Sequence, residues 1–257
     1  MSFFNKIFAS IGIGSAKIDT KLEQLTYRQG DIVKGIVEIK GGNVEQQING
    51  LYLNLYTSYI KEMDDKKVPA VANIGHFPIF QSLLIKANEV HEVPFSFQLP
   101  FDTPVTFGRS KVWVKTEADI SNALDPTDKD YIRIAPSPIM NAVIDAINEL
   151  GFTLREVENE RAPRYIRSRL PLIQEFEFVP YQGPFRSRLD ELELVFFNQS
   201  EHRVELLMEI DRRVRGFKTL LAEALDMDES KVRMTVTTED IPSIKEKIYQ
   251  IIHRYSL

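Results

Sequence analysis

Short runs in which apolar side chains return at every second residue constrain this chain more than any other feature. Val33, Gly35, Val37 and Ile39 fall on one side of an extended run, with Lys34, Glu38 and Lys40 opposite, and Ile36 breaks the alternation. Leu51, Leu53 and Leu55 alternate with Tyr52, Asn54 and Tyr56. Phe95, Phe97 and Leu99 alternate with Ser96 and Gln98 between Pro94 and Pro100, and Val112 and Val114 alternate with Lys111, Trp113 and Lys115. A period of two places alternate side chains on opposite faces of a strand, so each run buries one face. Such runs, punctuated by turn residues, predict an all-β dominated fold of antiparallel sandwiches with a few peripheral helices.

Helical spacing interrupts this pattern in few places. Ser137 offers an N-cap and Pro138 suits the first helical position, where its missing N–H has no intrahelical partner. Ile139, Met140, Val143, Ile144, Ile147 and Leu150 then form a stripe, and Gly151 suits the exit. Ala118 to Pro136, rich in aspartate, reads as a polar connection. The expected domains are therefore 1–136, a sandwich, and 137–257, a sandwich-like domain with helices. Strand patterning returns at Phe152, Leu154 and Val157, where the phase must slip or bend. It continues at Phe176 and Phe178, and Leu192 to Ile210 reads as a hairpin about Asn198-Gln199-Ser200. A helix is expected over Val214 to Leu225, a short strand around Val232 to Val236, and a last amphipathic helix from Ile244 to Tyr255. That last apolar stripe suits self-association or the covering of a sheet within the chain.

Composition narrows the function classes. With no cysteine among 257 residues, disulfides, thiolate nucleophiles and thiolate-bound metals are excluded. A formal charge of −5 argues against a nucleic-acid backbone as the main partner. No run approaches the roughly 18 to 20 apolar residues that a membrane span needs, and Met1 to Lys6 makes a poor signal peptide. Stable membrane insertion is not expected, and the cytoplasm is the expected location.

Candidate chemistry is sparse. His76, His91, His202 and His253 are isolated, with no HExxH spacing. Asp125, Asp128 and Asp130 lack the glycine and closing glutamate of a calcium loop. Gly12 and Gly14 lack the third glycine and preceding strand of a dinucleotide loop. No catalytic, metal or cofactor residue is assigned and no cofactor is expected. A hydrolase assembled from dispersed histidines and carboxylates is the alternative reading. Two segments suit contact instead. Phe3, Phe4, Ile7, Phe8 and Ile11 form an apolar stripe on a short helix that needs a surface to pack on. Arg161, Arg164, Arg167 and Arg169 form the densest basic stretch, suited to an acidic partner or, more simply, to an exposed connection neutralised by Glu156, Glu158 and Glu160.

Three stretches resemble a known family: Tyr27 to Ile39 (YRQGDIVKGIVEI), Val93 to Pro100 (VPFSFQLP) and Tyr181 to Glu193 (YQGPFRSRLDELE). The first two are general to arrestin-like sandwiches, and the third is more particular to the bacterial sporulation-control family with an arrestin-like N-terminal domain. The likeness spans roughly Ala16 to Val214. It implies a cytoplasmic regulatory protein that controls sporulation through contacts with proteins not yet identified, and it implies no reaction.

Overall fold

The computed structural model describes residues 15–63, 66–121, 125–163, 165–166, 168–212 and 229–256. The stripe Phe3 to Ile11 and the helix expected over Val214 to Leu225 lie outside the described residues. The architecture is all-β dominated, and two compact units emerge. Unit 1 comprises Met1–Ser58, Val71–Thr103 and Lys111–Ala135, and unit 2 comprises Tyr59–Ala70, Pro104–Ser110 and Pro136–Leu257. Unit 2 thus takes up two stretches that precede Pro136 in the chain.

Unit 1 buries the alternating residues of two sheets. One sheet orders β1 (Lys17–Leu22), β3 (Ile32–Lys40) and β7 (Val90–Gln98) as β1-β3-β7. Val33, Val37 and Ile39 are fully buried in it, whereas Ile36, the residue out of phase, is exposed. The other sheet centres on β4 (Gln46–Met63), which pairs with β8 (Val112–Ile120); β9 (Thr127–Ala135) follows, then β2 (Thr26–Arg28). β5 (Lys66–Phe80) and β6 (Leu83–Ile85) also pair with β4. Leu51, Leu53, Leu55, Val112, Val114, Ile132 and Ile134 are buried from this sheet. The expected connection from Ala118 to Pro136 is corrected here, because β8 runs to Ile120 and β9 occupies most of the remainder. Asp128 and Asp130 stand in register with the buried side of β8, at Thr116 and Val114. Two carboxylates at core-facing positions disguise the strand as a loop.

In unit 2 an antiparallel sheet runs β10 (Phe152–Arg161), β11 (Leu172–Pro180), β12 (Leu189–Phe197), β13 (Arg203–Arg212) and β14 (Glu229–Thr237). The phase slip read in the sequence is a register shift between Leu154 and Glu156. Phe176, Phe178, Leu192, Leu194, Leu206, Met208, Ile210 and Val236 are all fully buried on one face. α1 (Pro138–Glu149) and α2 (Ile244–Tyr255) pack together, and α1 also touches β10 and β13. Ser137 Oγ accepts the N–H of Met140 at 3.3 Å, the cap its sequence position implied. Ile244, Ile248 and Ile252, the apolar stripe of α2, are buried within the chain. Buried Gln174 holds residues 104–110 on the sheet. It accepts the N–H of Val105 at 2.9 Å and donates to the Val105 carbonyl at 2.8 Å. No helix among the described residues is long and apolar enough to cross a membrane.

Candidate functional site

The basic stretch begins where β10 ends. Alternation along β11 to β13 puts Ile173, Val195, Phe197 and Leu207 on the face opposite the helices. Left bare, these side chains would present an apolar strip to water. The chain after Arg161 turns back over them. Ala162 N–H donates to the Pro171 carbonyl and Ile166 N–H to the Pro163 carbonyl, both at 3.0 Å. Buried Ile166 then packs with Ile173, Val195 and Phe197, and Ala162 and Leu207 pack against the group. The connection is therefore pinned by an apolar anchor at Ile166.

Beside this anchor lies a cleft of about 480 Å³, lined by Ile60, Glu62, Lys67, Glu160, Arg161, Ala162 and Pro163. Three strands build it. The far end of β4 meets β10 in a single parallel pairing, Ile60 with Glu160, and β5 brings Lys67 alongside. Lys67 Nζ lies 3.0 Å from Glu158 Oε2 and 3.5 Å from Glu160 Oε1. The two carboxylates respond in opposite directions. The hydrogen bond from Lys67 holds Glu158 below the usual carboxylate range. Partial burial, and then the hydrogen bond with Glu158, push Glu160 above it. Farther along β11, Glu175 is also raised, first by burial and then by the negative charge of Glu160. Low dielectric and like charges favour the neutral carboxyl at both positions.

Arg161 completes the lining with a different character. It is exposed, and among the described residues it carries no ion pair. A guanidinium on a rigid strand end presents a planar fork of donors that fits a carboxylate in two-point fashion. The cleft can therefore bind an acidic side chain at Arg161, with Ile60, Ala162 and Pro163 giving apolar contact beside it.

Of the expected contact residues, Arg161 lines this cleft and Arg169 is exposed farther along the same connection. Arg164 and Arg167 lie outside the described residues, as do Phe3, Phe4, Ile7, Phe8 and Ile11. Lys67 escaped the sequence reading, which took Glu160 only as a neutralising charge beside the basic stretch. Lys67 lies on β5, which begins at Lys66. The histidines stand apart. His76 Nδ1 is 2.7 Å from Asn54 Oδ1 and its ring stacks on Tyr52, whereas His253 stacks on Tyr249. The His202 ring lies 3.8 Å from Glu201, and His91 is exposed.

Comparisons with known proteins agree over most of the chain. The Spo0M family model, whose description reads SpoOM protein, matches residues 4–214. The sporulation-control protein spo0M of Bacillus subtilis (strain 168) is 42% identical over 259 residues, covering 100% of each chain. The crystal structure of Spo0M from Bacillus subtilis superposes with a TM-score of 0.83 at 38% identity, covering 95% of this chain and 100% of that one.

Proposed function

This chain belongs to the Spo0M family of sporulation-control proteins, and from that premise we propose that it is a cytoplasmic, non-enzymatic scaffold that regulates sporulation through protein contacts. The full-length similarity to a sporulation-control protein carries the regulatory part of this reading. The contact mechanism draws on the cleft beside β10. An exposed arginine with no ion pair among the described residues, mounted next to apolar side chains, suits recognition of an acidic segment of a partner. A rigid strand end keeps the entropy of immobilising that arginine low, which favours specific over loose attraction.

The experiment is affinity recovery from sporulating cells with the tagged wild-type chain and with Arg161→Glu. The wild type retains a reproducible set of partners. Arg161→Glu, with an unchanged melting temperature, loses recovery of at least one of them by about tenfold or more, the size expected when a charge-assisted pair is removed from a contact. Equal recovery by a folded Arg161→Glu variant defeats the cleft as the contact site.

A further inference from the structure

A second feature, in unit 1, concerns how the first strand is held. β1 is an edge strand of its sheet, and it stops pairing with β3 abruptly. Glu23 N–H still donates to the Lys34 carbonyl at 3.0 Å, but two residues later the Leu25 carbonyl accepts from Arg133 on β9 at 2.8 Å. β2 then continues in parallel with β9, from Thr26 opposite Arg133 to Arg28 opposite Ala135. One run of chain therefore leaves β3 and joins the facing sheet within three residues.

This crossing leaves polar groups to be satisfied. In an antiparallel pair, alternate residues bond to the partner strand and the others point their N–H groups away. The Glu23 bond fixes the parity, so the N–H of Thr20 points away from β3 toward the free edge. An unpaired strand edge invites other strands to add. Here a side chain closes it. Asp128 Oδ2, on β9, accepts the Thr20 N–H at 2.7 Å, and Thr20 Oγ1 lies 2.6 Å from buried Thr116 Oγ1 on β8. These two contacts fasten β1 to the other sheet.

The fastening is electrostatically uneasy. Asp130 follows Asp128 on the same face of β9, and its Oδ2 is buried with no hydrogen-bond partner among the described residues. Burial, then the charge of Asp128, then that of Asp19 on β1, push Asp130 up to about 6 from an ordinary value of 3.8. The register partners on the neighbouring strands, Val114 and Thr116 on β8 and Val37 on β3, carry no charge to offset this repulsion.

We propose that β1 is a releasable strap, held to β9 through Asp128 and Thr116, whose grip weakens when Asp130 ionises against Asp128 and Asp19. When neutral, Asp130 can donate to Asp128 and leave that carboxylate free to cap Thr20. When ionised, it sets three negative charges along the seam between β1 and β9. Release of β1 bares the edge of β3 from Lys34 to Lys40, a ready surface for an added strand. The sign follows from linkage. The folded chain holds the Asp130 proton more tightly than the unfolded chain between about pH 3.8 and 6, so the strap loses stability as pH rises through that window.

Amide hydrogen exchange of the full chain, corrected for the intrinsic pH dependence, reads the strap directly. Exchange of residues 17–22 is expected to quicken about tenfold between about pH 5 and pH 7.5, one decade for each unit of retained shift. Asp130→Asn keeps that segment protected at both values. Asp19→Asn, on the exposed side of the seam, reduces the increase without removing it and serves if Asp130→Asn fails to fold. Equal protection of the wild-type segment at both pH values overturns the proposal. So does an undiminished pH response in whichever of the two variants folds.

Discussion

Phe176→Ala destabilises the chain by about 3–5 kcal/mol, the range for removing a large aromatic from a packed core. Phe176 is fully buried at the centre of β11. Its ring meets Phe107 edge-on at 6.3 Å and Phe196 edge-on at 5.4 Å. Phe107 belongs to residues 104–110, which Gln174 clamps to the same strand, so the surroundings are tied from two sides and collapse poorly into the void. A cavity that cannot close adds to the lost transfer free energy. Phe176→Leu, which keeps most of the volume, costs about 1–2 kcal/mol by comparison. Urea unfolding followed by far-ultraviolet circular dichroism measures both. Equal, small shifts in midpoint would show that the ring is not packed as described.

Gly151→Ala has an effect of similar size for a different reason. Gly151 ends α1 with a φ of +96°, a left-handed conformation that costs an L side chain about 1–2 kcal/mol. A Cβ placed there also falls 2.3 Å from the Gln182 carbonyl oxygen and 2.7 Å from its carbon. That neighbour is backbone and is held in place, because the N–H groups of Tyr181 and Gln182 both donate to the Gly151 carbonyl at 3.0 Å. The loss is therefore expected to exceed about 3 kcal/mol, the region reserved for backbone conflict in a packed site. Gly108→Ala is the control. It too has a positive φ, +56°, but its Cβ would meet nothing closer than the Val157 carbonyl at 3.7 Å. It should cost only the conformational part, about 1 kcal/mol. Thermal melting of the two variants separates strain from collision, and equal melting temperatures would contradict the close approach at Gln182.

The strands that could be read from the chain were those whose inward positions are apolar throughout, such as Val33 to Ile39 and Leu51 to Leu55. The bend at Leu154 to Glu156 was legible too, because a bulge shows as a slip in the period of two. β9 was not, because its first two inward positions are Asp128 and Asp130, and a polar residue there signals a loop until the neighbouring strand is known. β5 was hidden by Pro69, Gly75 and Pro78, residues that a central strand excludes but a strand bordering a sheet tolerates. The cleft depended on information of another kind. Arg161 stood out locally as part of a basic stretch, yet its companions Ile60 and Lys67 lie about a hundred residues earlier. Only the length of the β4 and β5 strands brings those residues to β10, and strand length is set by pairing rather than by local pattern.

The proposed regulation through the cleft makes a direct demand on cells. In a strain lacking its own copy of the gene, the wild-type chain restores normal heat-resistant spore counts, whereas Arg161→Glu, present at equal abundance and with an unaltered melting temperature, leaves them at the level of the deletion. Full restoration by Arg161→Glu under those conditions would contradict the account.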